Sequence, residues 1–388
     1  MGEYLHREYE KLKEEKVLIS KPMAKHFIVG PVEMFPRTQK TYETGYTYFR
    51  TTEYSQITKD CLKKLSQLLG NNEPDSMIYL ASSGTGAMEA TVINCVTEED
   101  KCLVINSGTF GKRFCELLAH HGKNFDSVNL AWNEKLDSKH LNHYENQGYT
   151  MLFVNLHETS TGQLYDIQML SDFCQRNNMF LIVDAISTFL ADEYDMDKYS
   201  IDLTIISSQK GLCLSPGMSF VSFSRRMLDK MQKMPQAKVL YLDFKDYLKN
   251  IARGQTPYTP PVCIMYELQD QLKHIESIGG IRAWLGMVST KAIYFRAKLK
   301  KHGFKIAEYP LSNLLTPIIL EDVNAYEVIQ ILKDKYGLYV NPCSGDLAKK
   351  LIRVSHIGNT TCEDFDNLLE KLILSVNEVK ERELVYVK

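Results

Sequence analysis

Short, nearly continuous apolar runs punctuate this chain, with longer helix-like segments between most of them. The runs fall at residues 77–81, 102–106, 127–130, 151–155, 180–184, 203–207 and 218–223. Helical patterning lies between them, for example at 85–95 and 110–121. A strand that is apolar on both faces is buried on both faces, so this alternation predicts an α/β fold with a mainly parallel seven-stranded sheet covered by helices. Beyond about residue 265 the pattern changes: a long helical stretch at 274–302 precedes shorter apolar runs at 304–309, 315–320 and 351–356. The expectation is a large domain over 26–265 and a smaller C-terminal α+β domain over 266–388. Residues 1–25 set Tyr4, Leu5, Tyr9, Leu12 and Leu18 among charges, which predicts an amphipathic helix packed on the body.

Composition narrows the partners. The 388 residues suffice for two domains, and 46 basic against 48 acidic residues give a formal charge of −2. No extended basic tract appears, so nucleic acid is not an expected partner. The apolar runs are of strand length, which predicts no membrane span. Met1-Gly2-Glu3-Tyr4-Leu5-His6 is charged, unlike a signal peptide, and His6 stands where a myristoylation signal has Ser or Thr. The 9 cysteines lie singly and the 10 histidines show no metal spacing. Free thiols in a reducing cytoplasm, and no metal site, are expected.

The candidate chemistry sits at the C-terminal ends of strands, where ligands of such sheets bind. Phe180-Leu181-Ile182-Val183 ends in Asp184, and Asp202-Leu203-Thr204-Ile205-Ile206 runs through Ser207-Ser208-Gln209 into Lys210. A lysine that forms a Schiff base and a carboxylate that pairs with a pyridinium nitrogen are what pyridoxal phosphate (PLP) chemistry requires. Ser83-Gly84-Thr85 turns a strand into a helix, and free N–H groups with the helix dipole make such a turn an anion site. Glu89 occupies the place of the third glycine after Gly84-x-Gly86, which disfavours a dinucleotide fingerprint. Arg353 interrupts an otherwise apolar run; a buried guanidinium needs a partner, so it is expected to face a cavity or a carboxylate.

Taken together, residues 27–358 resemble fold-type I PLP enzymes, and among them class V aminotransferases, most closely the 2-aminoethylphosphonate–pyruvate and alanine (or serine)–glyoxylate aminotransferases. The resemblance implies a role for each matching residue. Ser83, Gly84, Thr85 and Gln209 would hold the cofactor phosphate. Phe110, in Asn106-Ser107-Gly108-Thr109-Phe110-Gly111-Lys112-Arg113, would stack on the ring, worth roughly 0.5–1.5 kcal/mol beyond burial. Ile186 would cover the opposite face. Thr159, in His157-Glu158-Thr159-Ser160-Thr161-Gly162, would bond the phenolic oxygen, with His157 and Glu158 supporting the loop. Asp184 would keep the ring nitrogen protonated. Lys210, once displaced by substrate, would act as general base at Cα. Thr259, with Tyr258 beside it, would reach the phosphate of a neighbouring subunit, which implies a homodimer with shared active sites. Arg353 would hold the substrate carboxylate bidentately. Gly30 and Pro31 match a Pro-Gly-Pro loop facing the substrate, with Val29 in place of its first proline. Arg50 would either bind a second anion there or pair with Glu53; Phe49 beside it stands where histidine is common.

The activity implied is transfer of an amino group from a small amine or amino acid to a 2-oxo acid. The Thr85 and His157–Gly162 motifs favour 2-aminoethylphosphonate with pyruvate; alanine (or serine) with glyoxylate is the alternative. A cysteine desulfurase-like lyase would carry histidines where Phe110 and Gln209 stand. A non-catalytic protein would bind no yellow cofactor.

Overall fold

The computed structural model describes residues 24–386. The helix expected over 1–25 therefore lies, but for its last two positions, outside the described residues.

The large sheet has seven strands in the order Met77–Leu80, Ser219–Phe223, Leu203–Ser207, Phe180–Asp184, Met151–Asn155, Lys101–Asn106, Asn124–Asn129. All neighbours run parallel except Ser219–Phe223, which is antiparallel to the strand on either side. Every residue of Met77–Leu80, Met151–Asn155, Leu203–Ser207 and Ser219–Phe223 is buried, which is why these strands read as unbroken apolar runs. Asn124–Asn129 lies at the sheet edge with only Val128 buried, so its first half is polar and begins earlier than the apolar run at 127–130. Helices Gly84–Cys95, Thr109–His120 and Ile167–Arg176 connect successive strands.

A second, five-stranded sheet runs Lys25–Phe27, Leu338–Pro342, Leu351–Ser355, Leu315–Ile319, Lys305–Ile306. Helices Gly280–Lys301, Ala325–Tyr336 and Cys362–Tyr386 complete a separate core with Phe27, Phe295, Leu332, Val340 and Phe365. Lys25–Phe27 pairs in parallel with Leu338–Pro342, so the chain enters through this smaller sheet before building the large one.

The helix expected at 274–302 is two helices, Val262–Ser277 and Gly280–Lys301. Gly279 and Gly280 break it, with φ of 108° and 80°, a backbone region open to glycine and strained for other residues. The strand expected at 304–309 is only Lys305–Ile306. Leu338–Pro342 escaped the apolar pattern because Tyr339 and Asn341 alternate with its buried residues. Helix Gly280–Lys301 gives Trp284 and Val288 to the first core and Phe295 and Leu299 to the second. It therefore couples the two cores, with Trp284 Nε1 donating to the Leu190 carbonyl at 3.0 Å and Arg296 Nε to Thr316 Oγ1 at 2.9 Å. No described helix is long and apolar enough to cross a membrane.

Phe295→Ala should empty a fully buried ring site and destabilise the protein by about 3–5 kcal/mol, read as a lowered urea midpoint. A loss below about 1 kcal/mol would show that this ring does not tie the helix to the second core.

Candidate active site

At the C-terminal ends of the large sheet the strands open onto a cleft of about 540 Å³, its mouth included. Nine of the residues singled out in the sequence line it: Ser83, Gly84, Thr85, Phe110, Thr159, Asp184, Ile186, Gln209 and Lys210. Met88, Arg113, His157 and Ser187 complete the wall.

One end suits an anion. Ser83 caps helix Gly84–Cys95, its Oγ accepting the N–H of Gly86 at 3.3 Å. Any Cβ at Gly84 would overlap Ile186, so glycine lets the turn and Ile186 share the cleft. Arg113 donates from Nη1 to Thr85 Oγ1 at 3.0 Å and lies 4.8 Å over the Phe110 ring. A helix N-terminus and a guanidinium thus meet at one point, and both attract negative charge. Arg113 ends the Asn106–Arg113 motif, where no role was expected of it. A cation one turn into a helix usually reaches solvent, and only the fold brings this one to Thr85.

Glu158 explains how that helix is held. Its fully buried carboxylate accepts the N–H groups of Phe110 and Gly111 at 3.1 Å each, Asn155 Nδ2 at 3.0 Å, and both the N–H and hydroxyl of Ser160. Five donors replace the hydration that burial removes, and they pin the first turn of Thr109–His120 to the 157–162 loop. Gly108 permits this approach, since a Cβ there would overlap Ser160 and Glu158.

Asp184 ends the strand Phe180–Asp184, and Lys210 lies three residues beyond its parallel neighbour Leu203–Ser207. Asp184 Oδ1 accepts the Ile186 N–H at 2.8 Å. Burial raises its pKa to about 7; the Ile186 N–H opposes this, Glu158 adds to it, and Lys210 and Arg113 pull it back. Burial lowers the Lys210 pKa to about 8, with Arg353 acting the same way and Asp184 opposing. Gly30 packs on the lysine stem: with φ of 149°, a Cβ would sit 2.9 Å from Lys210 Cδ and 3.0 Å from the Gln209 carbonyl.

The remaining expectations fall elsewhere. Arg353 donates to the carbonyls of Thr159, at 2.6 Å, and of Pro342, and no carboxylate pairs with it among the described residues. Tyr258 donates to the Leu240 carbonyl at 3.1 Å and stacks on Tyr241, while Thr259 is exposed; neither lines the cleft of its own chain. Arg50 neither lines the cleft nor pairs with Glu53. It binds Gln255 Oε1 at 3.2 Å and the carbonyls of Thr256 and Pro257 at 2.8 and 3.1 Å, because carbonyls exposed by the proline-rich turn need donors.

A ring bearing a phosphate and a basic nitrogen fits these walls. The anion turn and the carboxylate stand in one cleft, and two of its lining residues, Gln209 and His157, carry buried atoms (Oε1 and Nε2) without partners among the described residues. Buried polar atoms without partners are the exception in a folded protein, and here two of them fall on residues that line the cleft. Among the described residues no group of three or more His, Cys, Asp or Glu is placed to hold a metal ion.

The architecture is that of the fold-type I PLP enzymes. The aminotransferase class-V profile matches residues 38–368, and the chain belongs to that family of PLP-dependent enzymes. It is 27% identical over 341 residues to the "Soluble hydrogenase 42 kDa subunit" of Anabaena cylindrica, covering 83% of this chain and 85% of that one. It is 23% identical over 356 residues to the L-aspartate–glyoxylate aminotransferase of Paracoccus denitrificans, covering 86% of each. The crystal structure of the alanine–glyoxylate aminotransferase of Nostoc sp. superposes with a TM-score of 0.87 at 23% identity, over 92% of this chain and 96% of that one.

Asp184→Asn keeps the acceptor for Ile186 and removes the buried charge. An aspartate whose folded pKa is raised loses stability as pH climbs from its unfolded value, about 3.9, to about 7. The cofactor-free Asn variant should therefore gain on the wild type between pH 4 and 7, by on the order of 1 kcal/mol or more, and hold that gain above pH 7. Urea midpoints across this range test it; parallel curves would place Asp184 in solvent.

Proposed function

We propose that this enzyme moves an amino group from a small α-amino acid to a short 2-oxo acid, glyoxylate or pyruvate, using PLP held in the cleft. The observation that carries the reading is that buried Asp184 and half-buried Lys210 line one cleft with the Ser83–Thr85 anion turn. The aspartate–glyoxylate relative supports it. When bound, PLP supplies an electron sink for negative charge at the donor Cα.

The chain's own residues do the rest. The Ser83–Thr85 turn, Gln209 and Arg113 would hold the phosphate, Phe110 and Ile186 the two ring faces, and Thr159 the phenolic oxygen. Asp184 would stand beside the ring nitrogen and favour its protonated form. Lys210, with its pKa near 8, has a neutral fraction at physiological pH that can bond the aldehyde carbon and later carry a proton at Cα. Arg353, with a buried and unpartnered Nε, would receive the substrate carboxylate.

The finer choice of donor turns on charge. 2-Aminoethylphosphonate with pyruvate, which the Thr85 and His157–Gly162 motifs favour, brings a dianionic group. Arg113 is engaged at the phosphate end, which leaves Arg353 as the guanidinium for substrate. Its single charge matches a monoanionic α-carboxylate better, so alanine or serine with glyoxylate is the preferred pair.

Thr259, exposed and not among the residues lining its own cleft, supports a homodimer in which it reaches the phosphate of the partner. Nine free cysteines support a cytoplasmic setting. The division into a cofactor unit over 26–265 and a small unit over 266–388 belongs to the same reading, with Lys25–Phe27 and Gly280–Lys301 crossing between them.

Two experiments test this. In the first, the PLP-loaded protein receives alanine, serine or 2-aminoethylphosphonate without acceptor. An α-amino acid should bleach the visible cofactor band and glyoxylate should restore it, while Lys210→Ala shows no turnover. A band unmoved by every donor would contradict the reading, and a response to the phosphonate alone would reverse the choice of donor. The second refolds Lys210→Ala together with a Thr259→Ala variant of low activity. If Thr259 acts across the dimer, one site of the hybrid has both residues intact and activity returns. Activity no higher than that of the Thr259 variant would remove the shared site.

A further inference from the structure

His157 opens the two-residue strand His157–Glu158, and its side chain is buried while lining the cleft. Its Nδ1 lies 3.1 Å from the Ser187 carbonyl oxygen. A carbonyl oxygen has no proton to give, so Nδ1 carries the hydrogen and Nε2 presents a bare lone pair. The ring stays neutral: burial holds its pKa down to about 3, and Lys210, Arg296 and Arg353 push the same way. Ser187 Oγ in turn donates to the His157 carbonyl at 3.1 Å, so the two residues clasp one another and the tautomer is fixed by backbone.

Nε2 has no partner among the described residues. A wall that also carries Lys210 and Arg113 therefore contains one uncharged nitrogen able only to accept. Carboxylate, phosphate and 2-oxo groups are acceptors too and cannot satisfy it. A hydroxyl can, and a site with a buried acceptor penalises a ligand that leaves it empty. Among small α-amino acids the side-chain hydroxyl is the feature that separates serine from alanine.

We propose that His157 Nε2 is a specificity-determining acceptor for a side-chain hydroxyl on the amino donor, so that the enzyme prefers serine-like donors to their deoxy counterparts. The proposal rests on the α-amino acid reading above and adds the donor class to it.

The test compares kcat/KM for serine and alanine with glyoxylate in PLP-loaded wild type, His157→Asn and His157→Gln. Asparagine keeps an N–H for the Ser187 carbonyl and has nothing at the Nε2 position. Glutamine reaches that position with a carbonyl oxygen. The wild type should favour serine, and His157→Asn should shrink the serine-to-alanine ratio about tenfold or more. His157→Gln should retain more of the ratio than His157→Asn. Equal loss on both donors in both variants, or a wild type with no preference for serine, overturns the proposal while leaving α-amino acid transamination standing. If one variant fails to fold, the wild-type ratio and the other variant still decide. A wild type that transaminates no α-amino acid sinks the proposed function, and this inference with it.

Discussion

The site depends on one costly arrangement: a buried carboxylate and a half-buried amine held in one cleft at the ends of two parallel strands. Desolvation acts on them in opposite directions, bringing Asp184 up to about 7 and Lys210 down to about 8. Neither is a good surface charge any longer, and that is their use. A lysine near neutrality is nucleophilic and can exchange protons, and a carboxylate with a single backbone donor is free to pair with a cationic ring. The arrangement sacrifices stability for chemistry, as active sites commonly do.

The cost is contained by rigidity around it. The strands leading to the pair are buried in the centre of the large sheet, but for Phe180 at the start of one. Gly30 lets the loop after Lys25–Phe27 lie against the Lys210 stem, where a methyl group would collide. Glu158 takes a second charge out of water, yet with five donors around it, and so fixes the helix that presents Phe110 and Arg113. One buried carboxylate is fully satisfied and holds the frame; the other is kept short of donors and faces the ligand.

Much of this was legible because parallel strands buried on both faces leave an unbroken apolar signature, and their ends are where polar residues become conspicuous. Asp184, Lys210 and the Ser83–Thr85 turn stand out for that reason. Features with mixed exposure did not: Leu338–Pro342 alternates, and the polar half of Asn124–Asn129 hides at an edge. Gly279-Gly280, with φ of 108° and 80°, breaks the stretch at 274–302, and the helical pattern on either side masks that break. Arg113 and the fixed tautomer of His157 arise from tertiary contacts with Thr85 and Ser187. Arg50 finds its partners about two hundred residues away in the 255–257 turn, a pairing no local pattern encodes.

The central claim is that Lys210 is the amine that bonds the cofactor aldehyde. Loading the protein with PLP, reducing it with borohydride and mapping the peptides by mass spectrometry tests this directly. The expected result is one modified peptide, carrying the reduced cofactor on Lys210. Label on another lysine, or no label on a protein that has bound PLP, would contradict it.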